Sequence, residues 1–326
     1  MDERFVSTGN LPSRDAVQRF VDGTYAEFLD LSEGANSAVY PALVRADPSQ
    51  FGICLLATSG QRWTAGDVAV SFPIMSVSKP FVFALLCREH GPEAAARLIG
   101  VNSTGRPFDA VEAILLSPGG RTNPMVNPGA IAASSHLGSG TAASRWQYLL
   151  TGLQEFAGRP LRVDEETYAS ASASNLRNRV LAAAIAERGL LGCDPEVALD
   201  LYTRQCCLQV STEDLAVMGA TLADGGTNPV TGEQVVPADV CQAVLAIMAT
   251  AGMYEDSGTW LFNVGLPAKS GISGGLVAVS PGKGGIAAYS PRLDAAGNSV
   301  RGARSITALS RALGLNVFAS DAVTRS

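Results

Sequence analysis

The 326-residue sequence contains no apolar run that approaches the roughly 18 residues of a transmembrane helix. It also lacks blocks of like charge, since 24 basic residues stand against 30 acidic ones for a net charge of −6. Nucleic-acid-binding surfaces need clustered basic side chains, so we expect neither a nucleic-acid partner nor membrane insertion. The first ten residues, MDERFVSTGN, begin acidic and have no apolar segment typical of a secretory signal. The sequence therefore predicts a cytoplasmic protein.

Histidine is scarce, and the cysteines do not form a recognisable pattern. The two histidines are His90 and His136, and the six cysteines lie at 54, 87, 193, 206, 207 and 241. This spacing fits neither a CxxC zinc site nor a disulfide framework. We therefore expect no histidine-rich metal site, and only two histidines are present to act as a general acid or base.

Two segments far apart in the chain have the pattern of β-hairpins. FGICLLATSGQRWTAGD (51–67) and GGLVAVSPGKGGIAAYSP (274–291) each combine two apolar runs with a Ser- and Gly-containing connection. Between and after them, apolar residues recur with the period of an α-helix. The predicted helices lie within 106–117, 141–158, 176–189, 211–226, 238–253 and 299–315.

The two hairpins predict the architecture of the chain. An isolated hairpin is marginally stable, so we expect the two to pair into one antiparallel sheet flanked by helices. The sequence predicts an α+β fold in which 1–79 and 246–326 build the sheet domain. Residues 80–245 are expected to form an inserted helical domain. A cleft between two such domains is a usual place for a small-molecule site.

The segment FPIMSVSKPFVFALLC (72–87) places one lysine in surroundings that read as fully buried. If a helix begins near Ser76, Ser76 and Lys79 project from the same face of its first turn, where Pro80 is tolerated. Burial lowers the pKa of a lysine, and a neutral amine can accept the proton of a serine hydroxyl. The alternative is that Ser76 only caps the helix and that Lys79 extends to solvent.

A second segment, LPAKSGISGG (266–275), places Lys269 in a Lys-Ser-Gly sequence just before the second hairpin. In serine–lysine acyl-transfer enzymes such a sequence lies on a sheet edge that faces the nucleophile. The edge supplies backbone donors to the oxyanion, and the lysine adds positive charge. GISGG alone is also compatible with a flexible turn. Together, the two segments predict a serine acyl-transfer site.

At this level of detail the sequence resembles the serine-dependent glutaminases, which share the β-lactamase and penicillin-binding-protein fold. The matching segments follow the family order across residues 76–302. They are SVSKP (76–80), NPMVNPGAI (123–131), LRNR (176–179), LDLYTRQC (199–206), LADGGTNPVTGE (222–233), AGMYEDSG (251–258), GLPAKSGISGG (265–275) and SPRLDAAGNSVRG (290–302).

The resemblance implies hydrolysis of the side-chain amide of L-glutamine, or of a related amide, to an acid and ammonia through an acyl-serine. It implies no metal or organic cofactor and a homodimer or homotetramer. Its implied catalytic residues are Ser76 as nucleophile, Lys79 as general base and Tyr254 as proton relay. Its implied substrate-binding residues are Asn127, Asn178, Tyr202, Lys269 and Ile272, where the family usually has valine and uses the backbone N–H.

Three positions depart from the family pattern. Ala171 stands where the family has a glutamate that binds the substrate's α-ammonium group, a contact of about 1.5–3 kcal/mol. Met75 replaces a glutamine, and Tyr40 is displaced by one residue relative to Pro41. The neighbouring acids Glu165 and Glu166 are expected to be first-turn helix charges. These departures predict weakened glutamine binding or a different preferred amide.

Two other functions are compatible with the sequence. A β-lactamase or D,D-peptidase shares the Ser-x-x-Lys and Lys-Ser-Gly segments, although this sequence has no clear Ser-Asp-Asn element. A non-enzymatic relative that binds an amino acid without turnover would be consistent with the three departures.

Overall fold

The computed structural model describes residues 10–319 and contains one five-stranded antiparallel sheet. Its strands are β1 (Gly52–Ala57), β2 (Arg62–Gly66), β5 (Ala268–Ser270), β6 (Gly275–Ser280) and β7 (Gly284–Tyr289). They lie in the order β2-β1-β7-β6-β5 across the sheet. Two short strands, β3 (Phe72–Pro73) and β4 (Gln209–Val210), form a separate ribbon.

The two predicted hairpins are β1–β2 and β6–β7, and they join through β1 and β7. Gly52 lies opposite Tyr289, and Ala57 lies opposite Gly284. The sheet therefore assembles from the two ends of the chain, as the sequence predicts. The amino-terminal segment used for the cytoplasmic prediction lies almost wholly outside the described residues, which begin at residue 10.

The described residues contain fourteen α-helices. Their bounds are α1 (Arg14–Phe28), α2 (Pro41–Val44), α3 (Ser78–His90), α4 (Pro92–Ile99), α5 (Val111–Leu116), α6 (Asn127–Ser135), α7 (Ala142–Ala157), α8 (Glu165–Ala173), α9 (Leu176–Ala186), α10 (Pro195–Cys206), α11 (Thr212–Ala223), α12 (Ala238–Ala251), α13 (Ser257–Val264) and α14 (Val300–Ala312). The α+β class is thus confirmed. No helix in residues 10–319 is both long and apolar enough to span a bilayer.

The central strands are buried on both faces, because each face of the sheet is covered by helices. Along β1, Cys54 and Leu56 point into one hydrophobic core, and Ile53 and Leu55 point into the other. Helix α11 packs on one face against β7, β6 and β1, and α1 and α14 cover the other face. The strands consequently read as continuous apolar runs rather than as alternating ones.

Helix α11 approaches the sheet so closely that a side chain would not fit between them. A Cβ atom at Gly285 of β7 would lie 2.4 Å from the Ala220 nitrogen and 2.5 Å from the Ala216 oxygen. Since α11 lies within the predicted insertion 80–245 and also covers the sheet, the two parts share one core. The division into domains stays a prediction.

We predict that Gly285→Ala lowers the free energy of unfolding by about 1–3 kcal/mol, because the added methyl group overpacks the contact between β7 and α11. Gly23→Ala is the control, since Gly23 lies in α1 and a Cβ added there would have no atom within 4 Å. That change should raise stability by up to about 1 kcal/mol through helix propensity. Urea denaturation of the three proteins measures both effects. Equal stability of Gly285→Ala and the parent would contradict the packing described.

Candidate active site

Ser76 lies on a short turn between β3 and α3. A 3₁₀ turn over Met75–Val77 precedes α3, which begins at Ser78. The residue at the N-cap position is Val77, so the alternative in which Ser76 only caps the helix is wrong. Met75 has a φ of 49°, a strained value for a side chain other than glycine. The Ser78 hydroxyl donates to the Met75 carbonyl at 2.8 Å and stabilises the turn. Ser76 is buried except for a small exposed fraction of 9%.

The edge strand β5 brings the Lys-Ser-Gly segment against this turn. A Cβ atom at Gly271 would lie 3.1 Å from the Ile74 carbonyl oxygen and 3.1 Å from the Val77 side chain. Glycine at this position therefore permits the close approach of two backbones. The next residue, Ile272, lines the cavity beside Ser76, and its N–H donates to no residue within 10–319. This N–H is available to a ligand oxygen.

Lys79 is buried without a carboxylate partner among the residues that the structure describes. Its exposed fraction is 1%, and Nζ donates to Asn127 Oδ1 at 2.7 Å and to the Met125 carbonyl at 3.4 Å. Burial lowers the pKa of Lys79 to about 8. Between residues 10 and 319, no hydrogen bond joins the amine to the Ser76 hydroxyl one turn earlier. The amine is thus desolvated and held by amide oxygens, and it does not extend to solvent.

Asn127 connects Lys79 to a network of amide side chains. Its Oδ1 also accepts from the Tyr202 hydroxyl at 3.0 Å, and its Nδ2 donates to Asn178 Oδ1 at 3.0 Å. Asn178 in turn donates to Asn175 Oδ1 at 2.7 Å. Three helices, α6, α9 and α10, therefore present a fixed set of donors and acceptors to one cavity. Burial raises the pKa of the Tyr202 phenol, so this hydroxyl stays protonated and donating.

Tyr254 covers Lys269 and neighbours Ser76. Lys269 Nζ lies 4.1 Å from the centre of the Tyr254 ring, and both Nζ and the tyrosine hydroxyl donate to the Ser270 carbonyl, at 2.7 and 3.1 Å. Burial, together with the nearby Lys79 amine, lowers the pKa of Lys269 well below its ordinary value. Burial raises the pKa of Tyr254, and the nearby Ser76 side chain opposes this shift. Tyr254 also has a positive φ, of 55°.

These residues surround a cavity of about 310 Å³. Five of the sequence-predicted residues line it, namely Ser76, Asn127, Asn178, Tyr202 and Ile272. Lys79 and Lys269 lie behind the lining, and Tyr254 lines a neighbouring cavity of about 360 Å³.

All three departures from the family pattern lie at the same cavity. Met75, Ala171 and Tyr40 are lining residues, so the one-residue offset of Tyr40 does not turn it away. Glu165 and Glu166 lie in the first turn of α8, as expected, and Glu166 pairs with Arg45. Neither glutamate lines the cavity.

Several other lining residues have no signal in the sequence analysis. They are Phe108, Asp109, Asn175, Arg177, Thr203, Cys206 and Cys207, together with Val39 and Ser174. Arg177, Thr203 and Cys206 lie inside segments that match the family, and Ser174, Asn175 and Cys207 lie within two positions of one, but only the fold shows which of them face inward. Phe108 packs on Tyr254 with ring centres 5.0 Å apart, and its carbonyl accepts from the Asn127 N–H at 2.7 Å.

Known proteins similar in sequence to this chain identify its family. A family model described as Glutaminase matches residues 34–318. The chain is 52% identical to "Glutaminase 2" of Yersinia pestis over 98% of this chain and 94% of that protein. It is 41% identical to a "Glutaminase" of Colwellia psychrerythraea over 94% of this chain and 99% of that protein. The chain belongs to the glutaminase family.

Solved structures agree with this assignment. A structure described as "Probable glutaminase ybaS" superposes with a TM-score of 0.93 at 39% identity, covering 95% of this chain and all of that one. The Bacillus subtilis glutaminase YbgJ superposes with a TM-score of 0.82 at 32% identity, covering 93% of this chain and 98% of that one. The 326-residue chain is therefore an amidohydrolase, and the reaction it catalyses is the hydrolysis of glutamine to glutamate.

Proposed function

We propose that the glutaminase reaction proceeds through an acyl-enzyme on Ser76, with Lys79 as the general base. The observation that supports this most directly is the environment of the Lys79 amine, which is buried, hydrogen-bonded to neutral oxygens and free of a carboxylate partner within the described residues. A substantial fraction of such an amine is neutral near pH 8 and can accept a proton. Ser76 is one helical turn away and faces the cavity.

In the first half of the reaction, Ser76 Oγ attacks the side-chain amide carbon of glutamine and its proton passes to Lys79. The backbone N–H groups of Ile272 and Ser76 hold the oxyanion. The C–N bond then breaks, and the leaving nitrogen takes up the proton that Lys79 received and departs as ammonia, which returns Lys79 to its neutral form. Tyr254, which neighbours Ser76 and donates to Ser270, relays this proton.

In the second half, water attacks the acyl-serine ester. Lys79 again accepts a proton, and cleavage of the ester bond returns the Ser76 hydroxyl and releases glutamate. Asn127, Asn178 and Tyr202 bind the amino-acid portion of the substrate through the amide network. Lys269 Nζ lies beneath the Tyr254 ring and donates to the Ser270 carbonyl, so this lysine supports the binding site from behind rather than by a direct contact with the substrate.

A covalent intermediate is supported by one relative. YbgJ forms a covalent complex with 5-oxo-L-norleucine by reaction with 6-diazo-5-oxo-L-norleucine. This reagent is a diazoketone analogue of glutamine, and a nucleophile that displaces its diazo group bonds to the carbon next to the ketone, so a nucleophile in that enzyme lies beside the position of the amide carbon. The close structural similarity supports the same chemistry here.

We predict that Ser76→Ala abolishes ammonia release from glutamine, a loss of about 10⁴-fold or more, because the nucleophile is removed. The variant should also form no adduct with 6-diazo-5-oxo-L-norleucine in intact-protein mass spectrometry. Ser71→Ala, at an exposed serine ahead of β3, is the control and should keep both properties. Turnover or an adduct in Ser76→Ala would refute the assignment.

The lowered pKa of Lys79 predicts the pH dependence. The base is active when deprotonated, so kcat/KM for glutamine should rise about tenfold per pH unit below the pKa and level off above about pH 8. Lys79→Arg should remove the activity, since arginine does not deprotonate in this range. Lys283→Arg, in the turn between β6 and β7, is the control. A flat profile between pH 6 and 8.5 would contradict a lysine base.

A substitution at Ala171 tests how this position affects the affinity for glutamine. A carboxylate at this lining position would add a charge-assisted contact to the α-ammonium group, so Ala171→Glu should lower KM for glutamine by several-fold with little change in kcat. Ala171→Gln has a similar size without the charge and should not lower KM. An unchanged or higher KM in Ala171→Glu would show that recognition does not use this position.

We also propose that the enzyme is a cytoplasmic homodimer or homotetramer, as the family resemblance implies. Exposed apolar side chains on α5 and α9, namely Leu115, Leu116, Leu176 and Val180, support a contact between copies. Light scattering on the protein as it elutes from a sizing column measures the assembly directly, and the mass of a single chain would contradict the proposal.

A further inference from the structure

The cavity beside Ser76 has two charged side chains in its described lining, Asp109 and Arg177. The other lining residues are neutral. Free glutamine carries an α-ammonium and an α-carboxylate group, and a charge that enters such a cavity without a partner is strongly disfavoured. The acid available to the ammonium group is therefore Asp109, because position 171 is an alanine.

Arg177 contacts one of the two oxygen atoms of the Asp109 carboxylate. Arg177 Nε lies 2.8 Å from Asp109 Oδ2 and also donates to the Asp109 carbonyl oxygen at 3.3 Å. The other carboxylate oxygen, Oδ1, accepts no hydrogen bond from residues 10–319. The Asp109 side chain is 20% exposed, compared with 70% for Arg177. The pair thus places at the cavity a carboxylate with one oxygen that accepts no hydrogen bond within the described residues.

The residue before Asp109 is linked by hydrogen bonds, through Asn127, to the proposed general base Lys79. The Phe108 carbonyl accepts from the Asn127 N–H at 2.7 Å, and Asn127 Oδ1 holds the Lys79 amine. The negative charge of Asp109 also acts on Lys79, where it partly offsets the effect of burial. Asp109 therefore lines the same cavity as the amide network of Asn127, Asn178 and Tyr202, which we propose binds the amino-acid portion.

We propose that Asp109 binds the α-ammonium group of glutamine and that Arg177 is a positioning residue that orients the carboxylate. The inference rests on the proposed site at Ser76. It makes Asp109 a determinant of specificity for free α-amino-acid amides, since an amide without the ammonium group gains nothing from this carboxylate.

The test compares glutamine with glutaramate, the same molecule without its amino group. Asp109→Asn should raise KM for glutamine by about tenfold to a hundredfold, the range of a charge-assisted hydrogen bond, with kcat changed by less than about threefold. For glutaramate, kcat/KM should stay within about threefold of the parent, so the preference for glutamine collapses. Arg177→Lys should lie between the parent and Arg177→Gln in KM.

The matched control is Glu196→Gln. It removes the carboxylate that pairs with Arg179, another arginine of α9, at 2.9 Å and outside the cavity. Its kinetics should equal those of the parent. If Asp109→Asn does not fold by circular dichroism, Asp109→Ser takes its place in the same comparison.

A second variant tests the ammonium site through rescue. Ala171→Glu should lower KM more in the Asp109→Asn background than in the parent, because it restores the missing carboxylate. An unchanged KM for glutamine in Asp109→Asn, or equal losses for glutamine and glutaramate, would overturn the inference. Failure of the proposed site is distinguished by Ser76→Ala, since residual turnover in that variant would refute the site whatever Asp109 does.

Discussion

The burial of the Lys79 amine is the constraint on which the rest of the site depends. Its contacts are with the Asn127 amide oxygen and the Met125 carbonyl, which accept hydrogen bonds without supplying a full negative charge. A pKa of about 8, against the ordinary 10.5, corresponds to on the order of 3 kcal/mol in favour of the neutral amine. A carboxylate in place of Asn127 would stabilise the ammonium form and remove the base. Amide oxygens around Lys79 are therefore a chemical requirement and not only a packing solution.

Tight backbone contacts fix the turn that carries Ser76. Gly271 lets β5 approach the turn over Met75–Val77, and the positive φ values of Met75 and Tyr254 mark strain at a residue of the cavity lining and at the residue that covers Lys269. Strain of this kind persists when the surrounding structure fixes it, and here two hydrophobic cores and the close packing of α11 on the sheet do so. The stability of the sheet thus serves the geometry of the nucleophile.

The sequence predicts the sheet well because its signals are local. The apolar hairpins, the period of most helices and the spacing of Ser76 and Lys79 are all readable within short windows. Helix α6 is harder to predict, because all of its residues are buried and most are small, and no polar face gives the pattern a period. The start of α3 also lies two residues after the predicted start near Ser76, because a strained Met75 begins a 3₁₀ turn there instead of an ordinary helix. The binding side of the cavity is less readable still, because the pairing of Asp109 with Arg177 depends on how the loop before α5 meets α9.

The most direct test is an NMR titration of the lysine side chains. The sequence contains three lysines, Lys79, Lys269 and Lys283, so the ¹³Cε signals can be assigned by comparison with Lys79→Met and Lys283→Arg. The account predicts that the signal absent from Lys79→Met titrates with a pKa of about 8. A Lys79 signal that titrates near about 10.4, the ordinary value for an exposed lysine, would contradict it.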